Sequence, residues 1–317
     1  MAEWLYEAGI GEARAALVED GRIIEARIER PGGLRVGTVF DARLVERVAA
    51  GLSRVESEAG AAVIAQVPQG VTEGARLRVE VVREALPEAG RIKLAKVVAS
   101  DAALVEGPDL LALCEASGHP VRTLHAHEPD ALEAAGWSEV LDEALTGEIA
   151  FAGGALRLSP TPAMTLFDVD GPGTTAALAV AAAAATAQAI VRHDIGGSIG
   201  IDFPTVTGKA ERLAVAAAID AALPQPFERT ALNGFGFLQI VRPRPRASLP
   251  ELLRSDPVAA EALALLRQIE RTPPPVPAEH IASLRVIAWL DRNPHLIAEL
   301  SRRSGVAITL RGSNGQG

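Results

Sequence analysis

Cysteine and aromatic residues are both scarce in this sequence. Cys114 is the only cysteine, so no intramolecular disulfide can form, and a structural zinc site built on several cysteines is excluded. A chain of 317 residues buries enough surface to fold without such cross-links. The tryptophans, Trp4, Trp137 and Trp289, are too dispersed in the sequence to form an aromatic stacking platform. An ordinary hydrophobic core must therefore hold the fold.

Positive charge is in shorter supply than negative charge. Lys and Arg total 31 against 40 for Asp and Glu, which gives a net charge of −9 and a pI near 5.3. This balance counts against a protein that coats nucleic acid non-specifically, but it leaves room for a local basic groove. The hydrophobic fraction of 48% and the charged fraction of 22% are typical of a soluble globular protein.

The first residues carry neither the basic nor the apolar region of a secretory signal. The longest apolar run, Thr174 to Val191, approaches the length of a membrane span. It consists mostly of alanine, whose transfer into a membrane is only marginally favourable, and Arg192 follows it directly. We therefore expect a soluble helix, no membrane partner and a cytoplasmic location.

The pattern of elements predicts a multi-domain protein of mixed α+β and α/β class. Asp20-Gly21 between two alternating runs indicates a hairpin, and short β-branched runs up to Ser100 indicate a small antiparallel barrel. Ser248 and Glu251 form a capping box that predicts a helix start. The predicted segments are an N-terminal hairpin that packs on the core (1–34), the inserted barrel (35–99), a helical region (100–146), an α/β domain (147–250), and C-terminal helices with a linker and a small α/β unit (251–317).

The clearest unit in the sequence is a strand, a helix and a second strand. The predicted strands are Ala163–Asp168 and Ser198–Phe203, joined by a helix over Thr174–Arg192, so we expect a parallel pair with a right-handed crossover. Each strand ends close to a carboxylate, and parallel strands place such ends at the edge where open α/β sheets bind their ligands.

These carboxylates are candidate metal ligands. Asp168 and Asp202 should lie side by side, and Asp170 shares a face with Asp168, so the three can converge on one point. Oxygen ligands without His or Cys suit Mg²⁺ or Mn²⁺, which can activate water and stabilise a phosphate under attack. The alternative is that all three are helix N-caps in ordinary loops.

A second candidate feature is a group of basic side chains. Alternating prolines keep the backbone extended through a short arginine-rich segment, which could follow a phosphate backbone beside the carboxylates. A solvated strand edge protected by Pro and Arg is the alternative. The candidate nucleic-acid-binding residues are Arg192, Lys209, Arg212, Arg242, Arg244 and Arg246.

The stretches Leu166–Gly171, Arg192–Phe203 and Phe235–Arg242 together resemble the catalytic region of the ribonuclease E/G family. The resemblance covers most of residues 10–250 and is specific between 163 and 249. It implies that the barrel is of S1 (OB) type, that 100–146 is a shortened ribonuclease H-like region, and that the protein is an endoribonuclease acting on single-stranded RNA. Asp168 and Asp202 would be its magnesium ligands, and Asp170 stands where the family usually has Asn.

The sequence also departs from the family pattern. The cysteines of the family's zinc link are absent, so any homo-oligomer must form without it. Gly234 occupies the position of an Arg that contacts the RNA 5′ end, and the Arg-Thr pair of the same pocket is not recognisable between 99 and 146. The segment Leu52–Ile64 of the barrel has no aromatic residue for stacking bases. We therefore expect no sensing of a 5′ monophosphate.

Two other functions are compatible with the sequence. The bare barrel, the missing pocket and the acidic net charge would suit a non-catalytic RNA-binding or scaffold relative. A metal-dependent phosphodiesterase acting on DNA or on a small nucleotide would need the same carboxylates.

Overall fold

The computed structural model of the chain describes residues 1–48, 51–88, 91–172 and 175–313. It is a mixed α/β structure that contains a closed five-stranded barrel and several helices. The expected mixed class with a barrel is therefore confirmed at this coarse level.

The N-terminal sheet has the strand order β11-β1-β2-β3, in which β11 is Val121–Thr123. Its first three strands are β1 (Glu3–Ala8), β2 (Ala13–Glu19) and β3 (Arg22–Glu29). The predicted hairpin is confirmed, because β2 and β3 pair in antiparallel and the turn places Asp20 and Gly21 at φ values of 50° and 75°. The strand β1 was not predicted from the sequence, and its adjacent residues Trp4 and Leu5 are both buried.

The barrel has the strand order β10-β6-β5-β4-β7. Four of its strand pairs are antiparallel, as predicted, and the pair β6 with β10 is parallel, which the prediction did not include. The last strand, β10, closes the barrel because it pairs with β6 on one side and with β7 on the other. The strands of this region are β4 (Val39–Arg47), β5 (Ser53–Ser57), β6 (Gly60–Ile64), β7 (Arg76–Arg83), the small hairpin β8 (Leu86–Glu88) and β9 (Arg91–Lys93), and β10 (Ala95–Ala99).

The chain enters and leaves the barrel at neighbouring points. Val39 and Val105 exchange backbone hydrogen bonds of 2.8 and 3.2 Å. The N–H of Gly107 donates to Oγ1 of Thr38 at 3.0 Å. The barrel is thus an insertion between β3 and the helical region, and the two crossings are joined to each other.

The helical region returns to the N-terminal sheet. Its elements are α1 (Leu110–Glu115), β11 (Val121–Thr123), α2 (Ala131–Ala134) and α3 (Trp137–Thr146). The strand β11 pairs with β1 in parallel, so residues before and after the barrel form one sheet. Buried Trp137 and Val140 of α3 pack with Leu5 of this sheet.

A six-stranded sheet follows, with the order β12-β13-β14-β15-β17-β16. One face of the sheet packs against the helices Thr175–Arg192 and Lys209–Ala222 in a common core. Leu156, Phe167 and Ile201 of the strands are buried in that core. The predicted strand beginning at Phe235 begins at Phe237 instead, and the predicted helix start Thr174 lies outside the described residues. The elements are β12 (Glu148–Phe151), β13 (Gly154–Pro160), β14 (Thr165–Asp170), α4 (Thr175–Arg192), β15 (Gly197–Asp202), α5 (Lys209–Ala222), β16 (Glu228–Arg229) and β17 (Phe237–Arg242).

The helix α4 is long and apolar enough to cross a membrane by length and composition, with a mean hydropathy of 1.4. In the structure it belongs to the core of the six-stranded sheet. Ala183, Ala187 and Ile190 are fully buried there together with Val215 and Ile219 of α5. Its small alanine side chains let the two helices lie close to each other and to the sheet.

The C-terminal segment packs back against the start of the chain. The capping box predicted at Ser248 and Glu251 is present at the start of α6. Ile10 is buried among the residues of α7 and α9. The elements are α6 (Leu249–Ser255), α7 (Pro257–Glu270), β18 (Glu279–Ser283), α8 (Leu284–Asp291), α9 (Pro294–Ser304) and β19 (Thr309–Ser313), and β18 pairs with β19 in parallel.

A buried group of charges joins the two ends of the chain. Arg14 is 1% exposed, and it donates to Glu7 at 2.5 Å and to Asp130 at 2.6 Å. Arg271, which directly follows α7, donates to Glu7 at 2.6 Å and lies 3.3 Å from Asp130. The Arg14 guanidinium also lies 5.3 Å from the centre of the Trp137 ring. We call these four charged residues the Arg14 network.

Replacing Arg14 by methionine should lower the free energy of unfolding by about 3 kcal/mol or more, because it leaves buried carboxylates without one of their cations. Urea denaturation followed by tryptophan fluorescence measures the change. Arg122→Met, at an exposed arginine of β11, is the matched control and should leave the midpoint almost unchanged. Equal effects of the two substitutions would contradict the structural role of the network.

Candidate functional site

Asp168 and Asp202 are direct neighbours on two parallel strands. The register pairs Thr165 with Ile199 and continues to the pair Asp168 and Asp202. Neighbouring strands lie about 4.8 Å apart, so the two carboxylates are side by side. The predicted strand-helix-strand unit therefore has the expected direction and the expected partners.

Both aspartates lie on a face of the sheet that the described helices leave open. Phe167 and Val169, which flank Asp168, point into the core beneath α4, whereas Asp168 and Asp202 are exposed. One row of register partners crosses this open face, and it consists of Glu148, Arg157, Asp168, Asp202 and Phe237. The carboxylate pair is therefore accessible from solvent.

Asp170 does not complete a cluster of three carboxylates. It lies two residues beyond the last pairing of β14 with β15, and its carboxylate lies 3.9 Å from Arg157. In the part of the chain that the structure describes, no group of three or more His, Cys, Asp or Glu side chains is placed to hold a metal ion. The expected convergence of Asp168, Asp170 and Asp202 on one point was therefore wrong, because β15 ends at Asp202 and offers Asp170 no neighbour.

The remaining pair still has the chemistry of a magnesium site. Mg²⁺ keeps several waters and commonly binds through one or two carboxylates together with the phosphates of a substrate. Asp168 and Asp202 offer two such carboxylates, both accessible to solvent. Their donor set therefore fits a hard divalent cation.

Arg157 is a residue that the sequence reading missed. It is the register partner of Asp168 on β13, and its Nε donates to Glu148 Oε1 at 3.1 Å. Its side chain is 59% exposed, so it can turn toward an anion at the open face. The alternation of buried and exposed residues along the predicted hairpin could have placed it beside Asp168.

Two of the predicted cationic residues lie at the same edge as the aspartates. Lys209 and Arg212 belong to the first turn of α5, which begins after the loop that follows Asp202. Arg212 Nη1 donates to the carbonyl oxygens of Val206 and Thr207 at 3.3 and 2.7 Å, which holds this loop in place. Lys209 is exposed.

The other four predicted arginines lie at the opposite end of the sheet. The strand β17 runs antiparallel to β15, so Arg242 pairs with Gly197, the first residue of β15. Arg192 ends α4 just before the same strand. Asp202 lies five positions after Gly197, which corresponds to about 17 Å along the strand. The sequence predicts these arginines beside the carboxylates, whereas the structure places them at the other end of the strands.

Each of these four arginines has a partner within the protein. Arg192 donates to Glu143 at 3.0 Å, and Arg242 donates to the carbonyl oxygen of Ile195 at 3.3 Å. Arg244 forms a salt bridge with Glu251, and Arg246 lies 3.6 Å from a carboxylate oxygen of Asp194. These contacts within the protein are sufficient to explain where the four side chains lie. A role of these arginines in RNA binding stays a prediction.

The segment 242–246 also joins the six-stranded sheet to the barrel. The N–H of Glu84, at the end of the barrel strand β7, donates to the carbonyl oxygen of Pro245 at 2.8 Å. Burial raises the pKa of the Glu84 carboxyl, and nearby Arg246 partly opposes this shift. We call this contact region the seam. Its charges serve the packing of two structural units on each other.

The lone cysteine is not a candidate nucleophile. Cys114 is fully buried beside Trp4 and Leu110. Burial raises the pKa of its thiol to about 11, so it is protonated at neutral pH. A nucleophilic cysteine needs the thiolate form.

A scan against models of known protein families finds no match for this chain, and a search of curated proteins finds no similar sequence. The resemblance to the ribonuclease E/G family therefore rests on the motifs of residues 163–249 and enters the functional argument only as a proposal.

Arg192 is held at a buried junction whose key group is His193. The His193 ring has no exposed surface, and its Nε2 lies 3.1 Å from Oε2 of Glu143. Burial lowers the pKa of His193 from 6.5, although the contact with Glu143 partly offsets the shift. For Glu143, burial alone would raise the pKa, but the bonds from His193 and Arg192 lower it overall, so this carboxylate stays ionised at pH 5.5.

This junction predicts a loss of stability in mild acid. Because the folded-state pKa of His193 lies below its unfolded value of 6.5, the unfolded chain takes up the proton first. The stabilising contribution is complete above pH 6.5 and is lost as the pH falls through the folded-state pKa. Melting temperatures between pH 7.5 and 5.5 should fall less steeply in His193→Gln than in the wild type. His119→Gln, at an exposed histidine, should keep the wild-type slope, and identical slopes for all three proteins would contradict the assignment.

Proposed function

We propose that this protein is a Mg²⁺-dependent endoribonuclease that hydrolyses phosphodiester bonds of single-stranded RNA. One observation carries the proposal, namely that Asp168 and Asp202 are direct partners on parallel strands, on an open and solvent-exposed face. The motifs that resemble the ribonuclease E/G family contain these same two residues, and this resemblance supports RNA as the substrate.

In this proposal each residue of the site has a defined task. Asp168 and Asp202 would hold Mg²⁺ (or Mn²⁺), which when bound activates water and stabilises the charge that develops on a phosphate. Arg157, beside Asp168, would neutralise a neighbouring phosphate, and exposed Lys209 would attract the strand by its charge. Asp170, whose carboxylate lies 3.9 Å from Arg157, would help to position the Arg157 guanidinium.

The proposal extends to the rest of the chain. The closed barrel would be the S1-like RNA-binding unit, although its stacking capacity is low for want of aromatic residues. The protein would act in the cytoplasm, in an assembly without a zinc link, and without sensing a 5′ monophosphate. RNAs with 5′-monophosphate and 5′-hydroxyl ends should then be cut at equal rates.

Cleavage of a labelled single-stranded RNA tests the proposal directly. Wild-type protein should cut the RNA in Mg²⁺ or Mn²⁺ but not in EDTA. Asp168→Asn and Asp202→Asn should each lower the rate about 100-fold or more, because even residues that only support metal ligands cost 10- to 100-fold. Asp142→Asn, at an exposed aspartate of α3, is the matched control and should keep the wild-type rate.

Three outcomes would contradict parts of this assignment. Unchanged cleavage in both asparagine variants would remove the carboxylate pair from the mechanism. RNA binding without cleavage in any divalent metal would identify a non-catalytic RNA-binding protein. Equal cleavage of DNA and RNA of the same sequence would indicate a phosphodiesterase without RNA specificity.

A further inference from the structure

Phe235 holds an aromatic ring almost entirely in water. The residue is 87% exposed, more than any other large apolar residue among the described residues except Met1. It lies in the turn between β16 and β17. The ring is therefore accessible to a ligand that reaches this turn, and an aromatic face can stack on another flat ring.

The backbone beneath this ring is fixed. Asn233 Oδ1 accepts hydrogen bonds from the N–H groups of Phe235 and Phe237, at 2.9 and 3.0 Å. Gly236 has a φ of 94°, and a Cβ there would lie 2.2 Å from the carbonyl oxygen of Phe203. The N–H of Phe203 donates to the carbonyl oxygen of Gly236 at 2.9 Å. The ring therefore projects from a turn that is tied to the strand carrying Asp202.

The turn lies beside the candidate metal site. Phe203 directly follows Asp202 in the chain, and Phe237 is the register partner of Asp202. Two residues of chain and one strand spacing place the Cα atoms of Phe235 and Asp202 no more than about 12 Å apart. The ring is thus within reach of the nucleotides that flank a phosphate held at the carboxylate pair.

The neighbouring aromatic residue has a different explanation. Phe237 lies over Gly200, where an added Cβ would be 2.7 Å from Phe237 Cζ and 2.8 Å from Leu166 Cδ2. Packing on the open face therefore accounts for Phe237. Nothing comparable covers Phe235 among the described residues.

We propose that Phe235 is a stacking platform for an unpaired base next to the phosphate at the Asp168–Asp202 pair. This proposal rests on the nuclease function proposed above, since it takes a single-stranded nucleic acid as the ligand. Every base has a flat face, so stacking on one ring selects unpaired strands over duplexes without reading the sequence. The platform would supply at the carboxylate site the aromatic contact that the barrel lacks.

Binding of a single-stranded RNA that carries 2-aminopurine, measured in Mg²⁺ on a time scale shorter than cleavage, tests the platform. Its fluorescence should be quenched on wild-type protein when the probe base is placed at one position of the strand. Phe235→Ala should remove the quenching and weaken binding about 5- to 150-fold. Phe235→Trp should restore both, whereas Phe235→Leu should restore neither fully.

The controls separate stacking from a general loss of structure. Ile281→Ala removes another exposed apolar side chain, on β18, and should change neither the quenching nor the affinity. In Mg²⁺, Phe235→Ala should raise KM more than it lowers kcat. Wild-type quenching and affinity in Phe235→Ala would overturn the proposal, as would a change confined to self-association, because the ring would then serve contacts between copies of the chain.

The test also separates this proposal from the nuclease function. Cleavage that persists while Phe235→Ala binds and quenches like wild type would reject the platform and keep the nuclease. Quenching that depends on Phe235, without cleavage in any metal, would keep the platform and reject the nuclease.

Discussion

A guanidinium buried between two carboxylates holds together segments that are far apart in the sequence. Arg14 on β2 binds Glu7 on β1 and Asp130 at the start of α2, and Arg271 contacts the same two carboxylates from the end of α7. Charges removed from water are stable only with their partners in place. The N-terminal sheet, the helical region and the C-terminal helices must therefore assemble together, and the barrel is carried as an insertion in this unit.

The need of buried charges for partners also explains how charged residues are distributed over the six-stranded sheet. At one end, Arg192 and the arginines of the seam are paired with Glu143, Glu251 and Asp194 and with a backbone carbonyl oxygen. At the other end, Asp168 and Asp202 face solvent. Structural charges and candidate functional charges thus occupy opposite ends of the same strands, which leaves the open end free for chemistry without weakening the packing of the units.

The sequence allowed the strand-helix-strand unit to be predicted because apolar periodicity and a single crossover rule determine its direction. It did not allow the positions of Arg242, Arg244 and Arg246 to be predicted, since the direction of β17 depends on its pairing with β15 and is not encoded in its own residues. The predicted position of Asp170 beside Asp202 was wrong for a related reason. The pairing of β14 with β15 ends at Asp202, and Phe203, the next residue, is hydrogen-bonded to Gly236 in a turn that the sequence did not reveal. Phe235 was read as part of a strand, whereas the hydrogen bonds of Asn233 place it in a turn.

The paired crossings at Val39 and Val105 give the barrel a modular character. The chain leaves the N-terminal sheet after β3 and returns to it at β11, and the two crossings lie next to each other. The distance between β3 and β11 is therefore not determined by the size of the barrel. Because the two crossings lie side by side, removal of the barrel would not require the flanking segments to change their separation. Replacing everything between the crossings with a short linker would leave the surrounding fold geometrically closed.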